Sequence, residues 1–109
     1  YNELFKNSTR IICPKWDKWN RSHVFHLYVI RVADRDRVLS ALSKKGIQCG
    51  IHYPVPIHLQ DAYQSLGYKK GDFPVTESIA NEILSLPMYP ELSVLDIQYV
   101  AESVLKEVS

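Results

Sequence analysis

The run His23–Val32 leaves this chain few architectures. Val24, Phe25, Tyr28, Val29, Ile30 and Val32 are β-branched or aromatic, the types that suit a pleated, half-buried strand. Alternation puts His26, Tyr28, Ile30 and Val32 on one face and Phe25, Leu27, Val29 and Arg31 on the other. Both faces are largely apolar, so a strand here needs cover on both sides, at least in part. His26 is then expected to be a satisfied core histidine, and Arg31 either snorkels to solvent or pairs with an anion.

The rest of the chain supplies that cover. Asp34 suits a helix N-cap, Val38, Leu39, Ala41 and Leu42 make an apolar stripe, and Lys44, Lys45 and Gly46 form a helix stop. A helix is expected over 34–45. Arg10–Cys13, ended by Pro14, reads as an edge strand, and Ile47–His52 as another strand stopped by Pro54 and Pro56. Lys15–Ser22 reads as a loop carrying Trp16 and Trp19, and Tyr1–Phe5 as the tail of a helix belonging to a longer chain. A short helix is expected over His58–Leu66, with Leu59, Ala62, Tyr63 and Leu66 on its face and Gly67 at its end. Pro74 opens another helix with Val75, Ile79 and Ile83 as its stripe, followed by a short strand over Ser85–Met88. Ser93 and Asp96 fit a capping box, with Leu92 and Ile97 at the staple positions and Ile97, Val100, Ala101, Val104 and Leu105 facing inward. The order β-β-α-β-α-α-β-α predicts an α/β (α+β) two-layer sandwich, with a small, mostly antiparallel sheet covered by helices.

Composition excludes more than it selects. A chain of 109 residues fits one domain, and its apolar share of 46% supports a core without metal or disulfides. A net charge of +1 offers no basic field for nucleic acid, and aromatic and basic residues do not alternate as in a stacking platform. No apolar run reaches membrane-spanning length and no signal peptide is visible, so a cytoplasmic location is expected. Cys13 and Cys49 read as buried reduced thiols, able to bridge only if their strands are neighbours. Phosphate-loop and nucleophile-elbow patterns are absent.

The chemistry-bearing residues gather at one turn. His52-Tyr53-Pro54-Val55-Pro56-Ile57-His58 crowds two histidines and a tyrosine around two prolines. Each proline fixes its own φ and pushes the preceding residue to extended geometry. The turn is therefore a rigid strand-to-helix connector, a polar edge preorganised toward a site, or both; an X–Pro bond within it could be cis. His52 and His58 could converge, but no third metal ligand is identifiable. His23 and His26 lie three apart in a strand and face opposite ways. Lys6, Lys15, Lys18, Lys44, Lys45, Lys69, Lys70 and Lys106 all sit in polar or terminal settings, unlike an amine activated for Schiff-base chemistry.

Several segments in register resemble the DegT/DnrJ/StrS sugar aminotransferases. They are His23–Arg31, Gly46-Ile47 through Ile51–Gln60, Tyr63, Leu66-Gly67-Tyr68, Gly71–Glu77 and Ser85–Leu92. The resemblance runs from about Tyr1 to the end. It implies that residues 1–109 are the C-terminal small domain of a fold-type I enzyme that uses pyridoxal 5'-phosphate to aminate a nucleotide-linked keto-sugar, with glutamate as donor. It places the cofactor lysine, the pyridinium-pairing Asp and most phosphate contacts in a large domain preceding Tyr1. No cofactor is then expected on this chain, which would be inactive alone. The implied partners are that large domain, a second subunit of a homodimer, the nucleotide sugar and glutamate. Of the site residues, the resemblance points to His52, with Tyr53 beside it and His58 either as a further substrate-side residue or as a cap of its own helix. A competing class is a stand-alone α/β ligand-binding or regulatory module, which would not need the His52-Tyr53-Pro54 turn.

Overall fold

The computed structural model describes residues 1–15 and 23–109. The expected loop with Trp16 and Trp19 lies outside the described residues. The elements are α1 (Asn2–Phe5), β1 (Tyr28–Arg31), α2 (Arg35–Lys44), two 3-10 turns (Ile57–Leu59 and Asp61–Leu66), α3 (Pro74–Glu82), β2 (Ile83–Leu86) and α4 (Val94–Val108).

β1 and β2 pair antiparallel, with Tyr28 opposite Leu86 and Ile30 opposite Leu84. Single antiparallel bridges extend the pair at both edges, Ile12 with Arg31 and Gly50 with Ser85. The expected edge strands at 10–13 and 47–52 are thus reduced to one bridging residue each. The expected strand 23–32 is also shorter. Phe25 has a φ of 47°, a left-handed conformation that breaks extended pairing, so the ladder begins only at Tyr28. His26 is consequently exposed, not a core histidine. The strand expected at Ser85–Met88 starts earlier, at Ile83, because α3 runs directly into it.

One sheet face is apolar. Tyr28, Ile30, Val32, Leu84 and Leu86 are buried there, in one cluster with Phe5, Val38, Leu42, Val100 and Val104 from α1, α2 and α4. The small antiparallel sheet with helices stacked on it is the expected two-layer arrangement. Within α4, Val100, Ala101 and Val104 are buried and Ile97 and Leu105 half-buried, as the periodicity requires. Ser93 accepts the Asp96 N–H at 3.1 Å and donates to the Asp96 carboxylate at 2.6 Å. Asp34 occupies the N-cap of α2 without capping it; its carboxylate accepts instead from Arg37 Nε at 2.9 Å. At the other end, Gly46 takes φ 76°, and the Ile47 N–H reaches back to the Leu42 carbonyl at 3.0 Å. That closure is a glycine-dependent helix stop.

Polar groups tie these layers together. Tyr1 donates to the Pro87 carbonyl at 3.1 Å and Tyr28 to Asn2, which anchors α1 against the sheet. Burial pushes the Tyr1 phenol up to about 12. Arg35 is buried and donates to the carbonyls of Ala80 at 3.3 Å and Ile83 at 3.1 Å, clamping the α3–β2 junction. Arg31 pairs with Glu82 at 2.7 Å, which resolves its two sequence alternatives in favour of a carboxylate partner. Cys13 and Cys49 are free and only half-buried. They adjoin the two outer bridges, so β1 and β2 lie between them and the neighbour condition for a disulfide is not met. Burial pushes the Cys49 thiol up to about 11, which leaves it protonated and unreactive near neutrality. No helix among the described residues is long and apolar enough to cross a membrane.

Candidate active-site edge

The second sheet face carries the polar turn. Gly50 exchanges both backbone hydrogen bonds with Ser85, at 3.0 and 2.8 Å. His52, two residues on, points to the same side as Gly50. Its ring folds back over that glycine and Nδ1 meets the Ser85 hydroxyl at 2.8 Å. A Cβ at position 50 would stand 2.6 Å from His52 Cε1, so a side chain there would displace the ring from this position. One edge of the imidazole is thereby engaged and the other is open, since Nε2 has no protein partner among the described residues.

Tyr53 packs edge-on against this ring, with centroids 5.7 Å apart, while 75% of the residue stays exposed. The cis peptide in the turn is His52–Tyr53, not an X–Pro bond. The two residues form a polar rim facing outward from the sheet.

His58 belongs to a different cluster. Its Nε2 lies 3.0 Å from Glu77 and its side chain is only 8% exposed. Its ring packs on Phe73 at 4.7 Å, and Phe73 on Tyr68 at 5.1 Å. Glu77 also accepts the backbone N–H groups of Gly71, at 2.8 Å, and Phe73, at 3.3 Å. Burial pushes the Glu77 carboxyl up, but the bonds from Gly71, His58 and Phe73 outweigh it and hold the group below its usual range. His52 and His58 thus have separate partners, and no hydrogen bond or ring contact joins them among the described residues. No group of three or more metal-ligating side chains occurs among the described residues.

The expected helix over 58–66 is instead the two 3-10 turns, and its intended apolar face is not a core. Tyr63 and Leu66 are 43% and 62% exposed. Similarly, Ala80 is the buried residue of α3, whereas Val75 is exposed. Two partners of the site went unnoticed in the sequence. Ser85 had a signal, a lone hydroxyl within the apolar strand Ile83-Leu84-Ser85-Leu86. Glu77 had a weaker one, a carboxylate in the first turns of a helix, where the dipole favours it.

A cleft of about 560 Å³ lies at the opposite sheet edge, lined in part by Arg10, Ile12, Arg31, Arg37 and Glu82. Arg31 and Arg37 are spent there on Glu82 and Asp34, so the His52 edge carries the more open chemistry.

The sequence profile of the DegT/DnrJ/EryC1/StrS aminotransferase family matches residues 1–105. The chain belongs to this family. It is 46% identical over 94 residues to the pleiotropic regulatory protein of Geobacillus stearothermophilus, covering 86% of this chain and 25% of that relative. It is 39% identical over 85 residues to a dTDP-3-amino-3,6-dideoxy-alpha-D-galactopyranose transaminase of Aneurinibacillus thermoaerophilus, covering 78% and 23%. The crystal structure of S. venezuelae DesV with a ketimine intermediate superposes with a TM-score of 0.90 at 32% identity, covering 96% of this chain and 28% of that one. The chain therefore spans about a quarter of the length of these relatives.

The described residues do not by themselves fit pyridoxal phosphate. A Schiff-base lysine needs burial or a cationic neighbour. Lys6, Lys15, Lys44, Lys69, Lys70 and Lys106 are exposed, and Lys45 pairs with Glu107 at 2.7 Å. Lys18 lies outside the described residues.

Proposed function

We propose that residues 1–109 are the C-terminal small domain of a pyridoxal-phosphate-dependent enzyme that transfers an amine from glutamate to a nucleotide-linked keto-sugar. The setting is amino-sugar and polysaccharide biosynthesis in the cytoplasm. The cofactor and its lysine belong to the large domain, and the active unit is a homodimer. In this reading the small domain contributes a substrate-binding edge. His52 and Tyr53 meet the substrate, and His58, braced by Glu77 in its own cluster, is a further substrate-side residue.

The observation that carries the reading is the exposed His52–Tyr53 rim, held by Ser85, in a chain whose family is one of aminotransferases. A histidine with one nitrogen anchored and the other open is built to orient a hydrogen bond toward a ligand. Transaminase relatives acting on dTDP-sugars support the substrate class.

The test uses the full-length protein and a nucleotide-linked keto-sugar with glutamate. His52→Ala is expected to lower kcat/KM about ten- to a hundredfold, the scale of one lost substrate hydrogen bond to a polar group. His23→Ala serves as the comparison and is expected to change it little. Equal losses would make His52 a structural residue. The 109-residue chain alone, treated with pyridoxal phosphate and borohydride, is expected to form no adduct on a unique lysine; such an adduct would overturn the placement of the cofactor site.

A further inference from the structure

The hydrogen bond between His52 and Ser85 can run in either direction, and its surroundings decide which. Ser85 is 4% exposed. Its hydroxyl has no hydrogen-bond partner other than His52 Nδ1 among the described residues. If Nδ1 carried the proton, it would donate to the serine oxygen, and the serine O–H would be left buried with nothing to donate to. Unmet buried donors are costly and rare. If the serine donates instead, both groups are satisfied, and neutral His52 carries its proton on Nε2. Gly50 closes the other side, since a Cβ there would lie 2.6 Å from Cε1 and 3.3 Å from Nδ1. The ring is confined between that backbone and Ser85.

We propose that Ser85 is a positioning residue that holds His52 in its Nε2–H tautomer, so that the open edge of the ring offers an N–H donor to an acceptor oxygen of the ligand. The inference rests on the reading of His52 as a substrate-side residue and adds what kind of atom it recognises. Two sources of that oxygen are available to such an enzyme, the carboxylate of the amino donor and a hydroxyl or phosphate oxygen of the nucleotide sugar. Ser85 acts only through His52, and Gly50 acts by leaving space.

The tautomer is read directly by nitrogen NMR of the full-length protein carrying ¹⁵N-labelled histidine, at a pH where the ring is neutral. His52 is assigned as the signal lost in His52→Gln. The wild-type spectrum is expected to show Nε2 protonated and Nδ1 bare. Ser85→Ala is expected to move both nitrogens toward the averaged shifts of mixed tautomers, and Gly50→Ala to do the same by pushing the ring off Ser85. Ser78→Ala, an exposed control, is expected to leave them in place. A protonated Nδ1 in the wild type overturns the proposal whether or not any variant folds. So does an unchanged spectrum in Ser85→Ala.

Kinetics supply the second arm. Ser85→Ala is expected to raise KM about tenfold for one co-substrate with kcat nearly kept. A rise for the amino donor assigns the carboxylate, and a rise for the nucleotide sugar assigns the sugar or phosphate oxygen. An unchanged KM for both, beside a loss in His52→Ala, overturns the positioning role alone. A silent His52→Ala overturns the substrate-side reading, while the NMR result still reports the tautomer separately.

Discussion

The two faces of the small sheet do opposite work with the same strands. On one, Ile30, Leu84, Leu42 and Val104 are wholly buried and contribute only apolar contact. On the other, Ser85 meets His52 and Arg31 meets Glu82. Beyond the sheet, Tyr53, Ile57, Leu66 and Val75 are 75%, 67%, 62% and 71% exposed. Stability is therefore concentrated on one side of two short strands, and exposed chemistry on the other. A strand whose successive side chains face opposite ways permits this division, because Leu84 and Ser85 are neighbours in sequence but not in environment.

The largest expected effect falls on the apolar face. Leu84→Ala removes a side chain with no exposed area and leaves a cavity among α2, α4 and β1. A loss of about 2–5 kcal/mol is expected in denaturant unfolding. A value below 1 kcal/mol would break the contrast between the faces, since the helix-backed side would then not be the seat of stability.

Glu77 tests the second face in the opposite sense. Its carboxylate joins Gly71, Phe73 and His58 without joining the core. Glu77→Ala is expected to speed hydrogen exchange at the Gly71 and Phe73 amides while the amides of β1 and β2 keep their protection. Acid should act in the same way. The folded carboxyl titrates below its unfolded value, so its contribution is fully present above that unfolded value, near 4.3, and is lost as pH falls through the lower folded one. Exchange at Gly71 is expected to rise over that acid range before global unfolding; simultaneous loss across all amides would merge the two faces into one cooperative unit.

The smallest effect belongs to Val75→Ala. At 71% exposure the side chain has little left to lose, and Tm is expected to move by no more than the equivalent of about 0.5 kcal/mol. A large drop in the 109-residue chain would mean that this apolar surface is already covered by another copy in solution.

Much of the first face was legible beforehand. Helices over 34–45 and beyond Ser93 follow from 3.6-residue stripes, the Gly46 stop and the Ser93 cap, which are local in origin, and both appear with nearly those bounds, although Asp34 does not cap the first. Strand ends were less legible, because Phe25 leaves extended geometry despite its strand-favouring type, and pairing at Ile12 and Gly50 depends on what lies alongside. The 3-10 turns at 57–66 imitate an amphipathic helix whose apolar stripe meets no core among the described residues.

The sequence by itself determined the family and the layered α/β class, and it drew attention to the proline turn that carries His52 and Tyr53, since each depends on residue types at short spacing. Only the tertiary structure decided what those side chains touch. Ser85 lies thirty-three positions from His52 and Glu77 nineteen from His58, and no periodicity reaches across such intervals. The first pair is set by the bridge of Gly50 to Ser85 and the second by the folding of residues 57–77 back on themselves, so these hydrogen bonds exist only once the chain has closed on itself.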